Sequence, residues 1–171
     1  MKEEYLDIID INNNIINRAT KSDAHKNGLR HRVSAVLLKR EDCKYLFPTA
    51  SSIKVESGKL FHSSAGHVCS GESYMQTAIR ELEEECGIKV NQVKLLDSFW
   101  FEYDYENRIE KERFEIFEAE YNESMGKIIL NSEQVNEKWL NLDQLQKIFI
   151  KNPEQISLPL QLTCRQIFNF N

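Results

Sequence analysis

Apolar residues recur along this chain with two different periods. Near the middle, the stretch GHVCSGESYMQTAIRELEEECGI (66–88) places Met75, Ala78, Ile79, Leu82 and Cys86 within one arc at about 100° per residue. That spacing predicts an amphipathic helix with this arc buried, capped by Ser70 or Ser73 and ended by Gly87. Elsewhere the apolar residues come in short or alternating runs, the mark of strands. Tyr5–Ile9 and Ile15–Arg18 flank the turn chemistry of Asp10–Asn14, which predicts a leading β-hairpin within residues 1–20. Val33–Lys39, Lys44–Ala50, a short Leu60–Ser63, Val93–Tyr103, Arg113–Tyr121 and Val135–Leu140 read as further strands, with Pro48 marking an edge or bulge. Leu142–Ile148, started by Asn141 or Asp143, and Leu158–Phe168 read as helices on either side of Pro153. Thr20–Arg32 and Asn122–Gln134 are polar. No repeat, linker or low-complexity tract divides residues 1–171, so a single layered domain of α+β or α/β class is expected, a mixed sheet with a few helices.

Composition narrows the picture a little. With 171 residues, 41% hydrophobic and 29% charged, the chain has enough material for a core. A net charge of −5 counts against a nucleic-acid polymer as partner. No stretch is long and apolar enough for a membrane span, and MKEEYLDIID lacks the apolar segment of a signal peptide. Cys43, Cys69, Cys86 and Cys164 are scattered without a C-x-x-C pair, which fits reduced thiols in a cytoplasm.

Charge changes the picture most in the central helix. Glu83, Glu84 and Glu85 stand side by side, although like charges on a helix cost a few tenths of a kcal/mol per pair. Glu81, Glu84 and Glu85, at i, i+3 and i+4, project from one side next to the buried arc. Hard oxygen ligands on a rigid element suit Mg²⁺ or Mn²⁺. Glu83 points away by phase and is expected in solvent.

Gly66, Glu72, Arg80, Glu81, Leu82, Glu84, Glu85, Gly87 and Ile88 stand at the spacing of the Nudix box, so the chain resembles the Nudix hydrolases. The resemblance implies an α/β/α sandwich around a mixed sheet, with the box forming a loop–helix–loop metal site. It also implies hydrolysis of a diphosphate linkage in a small molecule, with Mg²⁺ or Mn²⁺ as cofactor. Glu81, Glu84 and Glu85 would then hold the cation, with a carbonyl at Gly66, and one glutamate would serve as base. Arg80 would orient a box carboxylate, and Glu72 would be a structural partner.

The likeness extends to a branch resembling type 1 isopentenyl-diphosphate isomerase. It rests on the leading hairpin followed by His25-Lys26-Asn27-Gly28-Leu29-Arg30-His31-Arg32, on Ser63-Ser64-Ala65-Gly66-His67, and on Glu110-Lys111-Glu112. Three departures stand out. Those isomerases carry a catalytic cysteine at the position of Ala65, an arginine expected near Pro48-Thr49 is missing, and the box here is complete. The combination points to hydrolase chemistry on an isomerase-like frame, the expected substrates being nucleoside diphosphates linked to another group; the alternatives are an isomerase or a diphosphate-sensing domain without catalysis. Glu110 and Glu112 alternate by two and share a strand face. The isomerase likeness sets this pair beside His67 and His31, giving a second group that would take a divalent metal, with Glu112 as ligand or base. His25 stays outside that group, its spacing from His31 being less secure. Core packing is expected for Trp100, Phe101 and Trp139, a strand end for His62, and solvated surface for Lys54 and Lys59. A homodimer is compatible with the sequence.

Overall fold

The computed structural model describes residues 3–171. Its first strands, β1 (Tyr5–Ile9) and β2 (Ile15–Thr20), form an antiparallel hairpin. A short helix α1 (Lys21–Asn27) follows, then the long β3 (His31–Arg40), which runs from the hairpin module into the main sheet. Next come β4 (Tyr45–Leu46), β5 (Thr49–Ala50) and β6 (Ser64–His67), and then the box helix α2 (Tyr74–Cys86). The strands β7 (Lys94–Tyr105) and β8 (Arg108–Tyr121) make a long hairpin. Two short strands, β9 (Gln134–Val135) and β10 (Trp139–Leu140), lead to helices α3 (Leu142–Lys151) and α4 (Leu158–Gln166).

The main sheet is mixed. Its strands run in the order β10-β4-β3-β8-β7, with β6 also on β3. β3 and β8 pair in parallel over ten residues, from His31 opposite Glu112 to Arg40 opposite Tyr121. Alternation along β3 sends successive side chains to opposite faces and so serves two cores. Val33, Ala35 and Leu37 pack with Phe99, Phe114, Ile116 and the α3–α4 residues Leu145, Phe149, Leu160 and Cys164. Val36 and Leu38 pack with Phe117, Ala119 and the α2 residues Ala78, Leu82 and Cys86. The result is the expected α/β/α layering. A third small core, Leu6, Ile8 and Ala24, seals the hairpin and α1.

Local differences from the sequence expectation have local causes. Thr20–Arg32 contains α1, which has no apolar stripe beyond Ala24 but has both end signals. Thr20 accepts from Asp23 N, and Gly28 closes the helix with φ +57°. A side chain at Gly28 would also meet Ile109 on β8 at 2.9 Å. Pro48 divides the run expected as one strand into β4 and β5. The short strand expected at Leu60–Ser63 begins instead at Ser64, because Ser63 Oγ is taken up bonding Leu38 N and Leu46 O, both at 2.7 Å. Met75 does not join the buried arc of α2: it is 47% exposed. Trp139 is only half-buried at the sheet edge, stacked on Tyr121 and covered by Arg40.

Candidate active site

Helix α2 begins with a reciprocal capping box between Ser73 and Gln76, so Ser73, not Ser70, is the cap. It ends at Gly87, whose φ of +71° suits glycine. Gly66 is required for a different reason. A Cβ there would fall 2.0 Å from Glu81 Oε1, so only glycine lets β6 pass this close to the carboxylate. Arg80 ties the acidic side of the helix together. Its guanidinium donates to Glu72 Oε1 and Oε2 at 3.0 Å, to Glu81 Oε1 at 2.6 Å and to Glu84 Oε2 at 3.2 Å. Burial alone would lower the Arg80 pKa, but the hydrogen bonds to Glu72 and the charge of Glu81 raise it, so the cation is permanent. Glu72 also accepts from Thr77 Oγ1 at 2.7 Å, which anchors the box loop to the helix. Glu83 lies outside this cluster and pairs with Lys89 in solvent.

Glu85 is the most buried of the helix carboxylates, at 3% exposure. Its Oε2 accepts from Ala65 N at 3.0 Å and from Gln134 Nε2 at 2.9 Å. Its Oε1 faces Lys54 Nζ at 3.8 Å, and Lys54 also pairs with Glu133. Burial pushes the Glu85 carboxyl up to about 8, against the opposing charge of Lys54. Burial raises Glu81 too, with Arg80 pulling the other way. Lys54, expected on solvated surface, instead lies half-buried in the site; burial opposes its charge, but Glu85 and Glu133 raise its pKa. Lys59 pairs with Glu56 at 2.8 Å, away from the cluster.

A second group forms where β3, β6, β8 and α1 meet. Sheet register sets His31 beside Glu112, and β6 places His67 opposite Val33 one strand away. Glu112 Oε1 lies 3.4 Å from Nε2 of both His31 and His67, and neither nitrogen has a hydrogen-bond partner. His31 Nδ1 lies 2.8 Å from the Leu29 carbonyl. In a neutral ring that acceptor favours the proton on Nδ1, which leaves an Nε2 lone pair aimed into the group. His25, excluded on sequence spacing, completes it. Helix α1 brings its ring within 5.0 Å of the His67 ring and 4.9 Å of the His31 ring, and its Nδ1 within 2.8 Å of Glu110 Oε2. Ligand atoms of His25, His31, His67 and Glu112 all lie within 4.8 Å of one another. Burial, together with Lys21 and the neighbouring imidazoles, holds the His67 pKa well below the usual histidine value, so the ring is a neutral donor at physiological pH.

One cavity of about 390 Å³ connects the two groups, since both Glu81 and Glu85 and both His67 and Glu112 line it. Phe61, Phe101 and Tyr105 supply an apolar flank. Phe101 is therefore both core and cavity wall, whereas Trp100 turns to the other sheet face under Arg30 and Arg113. His62 takes no part: it is buried, its pKa is lowered to about 3 by that burial, and it bonds Thr163 on α4. Both groups fit a cation. The box side offers carboxylates in excess of its cations around a cradle that any Cβ at Gly66 would fill. The other side offers unpartnered, buried imidazole nitrogens around a carboxylate.

Residues 29–160 match the family described as NUDIX domain, and the chain belongs to that family. It is 36% identical over 101 residues to an uncharacterized Nudix hydrolase of Clostridium acetobutylicum, over 57% of this chain and 48% of that protein. The chain thus spans about half the length of that relative. It is 27% identical over 154 residues to isopentenyl-diphosphate Delta-isomerase 2 of Photorhabdus laumondii, over 89% of this chain and 85% of that protein. Its fold is similar to a solved Deinococcus radiodurans structure with a TM-score of 0.77 at 19% identity, covering 96% of this chain and 99% of that one.

Sequence reasoning set His25 aside on its spacing and overlooked Glu133 and Gln134. For His25 a signal existed, since Thr20-x-x-Asp23 and Gly28 announce a short helix that would carry it inward. For Glu133 and Gln134 nothing local announces a role, because a long-range docking of their segment against α2 puts them at the site.

Proposed function

We propose that the protein is a Mg²⁺- or Mn²⁺-dependent hydrolase that cleaves a diphosphate linkage, with nucleoside diphosphates attached to another group as the substrate class. The observation that carries this reading is the approach of Gly66 to Glu81, with Arg80 bracing Glu81 and Glu84 while Glu85 is held from below. Glu81, Glu84 and Glu85, with the Gly66 carbonyl, would hold the box cation. His67 and Glu112, joined by His31 and His25, would hold a second. A bound cation neutralises diphosphate charge and lowers the pKa of a water. The chain itself orients and shields. Arg80 keeps Glu81 and Glu84 from splaying into solvent, and the flank of Phe61 and Phe101 limits water near the reacting group. A glutamate at the site, Glu81, Glu84 or Glu112, takes the proton of the attacking water. The four free cysteines accord with a cytoplasmic setting, and a homodimer is compatible with this reading. Among the described residues, no helix is long and apolar enough to cross a membrane.

The test is a screen of nucleotide and other diphosphate compounds with Mg²⁺ or Mn²⁺, reading phosphate or nucleotide release. Turnover that EDTA abolishes and either cation restores is expected. Release that persists in EDTA would overturn the reading.

Isomerisation of isopentenyl diphosphate is a second reading, favoured by the histidine–glutamate group and by the likeness to the Photorhabdus isomerase. Ala65 weighs against it. Its methyl group can neither give nor take the proton that moving a double bond requires, and Cys69 lies on the other side of His67 in the chain. Deuterium uptake from heavy water into isopentenyl diphosphate decides between the two readings, and none is expected.

A further inference from the structure

The segment that follows the β7–β8 hairpin docks against the C-terminal end of α2 and grips it at several points. Ile129 N donates to the Cys86 carbonyl at 2.9 Å, and Asn131 N to the Glu85 carbonyl at 3.1 Å. These carbonyls belong to the last turn, where a helix has no partners of its own. Gly87 fits beneath the same segment: a Cβ there would come 3.2 Å from the Ile129 Cβ. The grip then passes from the backbone of Glu85 to its carboxylate through Gln134, itself 6% exposed.

We propose that Gln134 is a positioning residue of the box site: by fixing Oε2 of Glu85 it presents Oε1 to the cation. This rests on the reading of Glu85 as a box ligand. The Gln134 amide donates to Glu85 Oε2 at 2.9 Å and to the Ser63 carbonyl at 3.1 Å. The Ala65 N–H takes the same Glu85 oxygen from the β6 side. Two donors from different segments occupy Oε2, leaving Oε1 as the oxygen that faces Lys54 across the site. A carboxylate so fixed binds a cation through a preset oxygen and loses little rotamer freedom when it does so. The neighbouring Glu133 reinforces the arrangement by pairing with Lys54. The first residue of β9 and the residue before it thus each carry a contact that orders the site.

The test uses the whole chain and Mn²⁺ as probe, its binding followed by electron paramagnetic resonance, with melting in EDTA measured alongside. Gln134→Met keeps the length and removes the donor, while the Ser63 carbonyl retains Cys86 Sγ at 3.1 Å. Gln134→Met is expected to weaken Mn²⁺ binding at the box about 10- to 100-fold, the usual cost of losing a group that orients a ligand. Its metal-free melt should stay cooperative. Should Gln134→Met not fold, Gln134→Asn, an amide one methylene too short to reach Glu85, is read in the same way. Glu85→Gln run in parallel separates two kinds of failure. If Glu85→Gln weakens Mn²⁺ binding and the Gln134 variant binds as wild type does, the positioning role is wrong and the box reading stands. If Glu85→Gln itself binds Mn²⁺ as wild type does, the box assignment falls and the role of Gln134 falls with it.

Discussion

The two groups of ligand-type residues share one cavity yet are built on opposite principles. On the box side, one helix supplies Glu81, Glu84 and Glu85, and long cationic side chains bridge or face them. Arg80 spans Glu72, Glu81 and Glu84, and Lys54 faces Glu85. Glu84 is still 57% exposed. On the other side, three strands and a short helix each supply a part, and the ligand atoms already converge within 4.8 Å, with Arg108 at the edge of the group, 3.0 Å from His25 and paired with Glu110. Arg80 balances Glu72, Glu81 and Glu84 in the first group, while burial raises the Glu85 carboxyl to about 8. The second is set by register: burial keeps His67 neutral, and the Nε2 atoms of His31 and His67 face Glu112 without hydrogen-bond partners. A site that must admit a cation together with an anionic substrate gains from side chains that can exchange partners. A site built on sheet register gains rigidity and gives up that adaptability.

The comparison breaks most readily at the box. Glu85→Gln or Glu84→Gln should lower kcat at least about 10²-fold on any substrate the screen finds, the scale of losing one group that stabilises developing charge. Glu84→Gln should melt as the wild type does within a few degrees, because its side chain is 57% exposed, and Glu85→Gln should stay folded, because the amide keeps the shape of the buried carboxyl and an oxygen for Ala65 N. Full activity in either would dissolve the distinction between the two groups by removing the first.

A smaller effect sharpens it from the other side. Glu112→Gln and His67→Ala should each weaken a second Mn²⁺ site about 10- to 100-fold while leaving the box site in place. Calorimetric titration would then show two classes of site in the wild type and one in the variants. If both variants keep two classes and turn over substrate normally, the histidine–glutamate group is structural.

The smallest effect is on stability. The folded Glu85 carboxyl holds its proton up to about pH 8, whereas an unfolded glutamate releases it near the usual 4.5. Between those values the folded state binds more protons than the unfolded one, so the metal-free protein should lose stability as pH rises through that window. Burial of Glu81 adds in the same direction. A bound cation compensates the ionised carboxylates, so with saturating Mg²⁺ the melting temperature should be flatter across the same range. A metal-free melt that rises over this window would show that Glu85 is ionised and paired without help.

Much of the box was legible because its chemistry is local. Helical phase alone puts Glu81, Glu84 and Glu85 on one side of α2 and sends Glu83 to solvent, and the structure has that geometry. Strand alternation alone puts Glu110 and Glu112 on one face, and both are buried there. The same reasoning misplaced Met75, since an arc drawn on a helix does not say how far the neighbouring sheet extends to cover its first turn.

The sequence by itself determined the elements and the identity of the acidic helix, because periods of 3.6 and 2 and the end signals of helices depend on residues a few positions apart. The isomerase likeness had already set His31 beside Glu112; only the tertiary structure decided that α1 carries His25 to them, that Lys54 faces Glu85, and that Gln134 holds it. Those pairings span up to 87 positions of chain, from His25 to Glu112. They follow from the register and docking that bury the two cores together, and no local pattern encodes how distant segments meet.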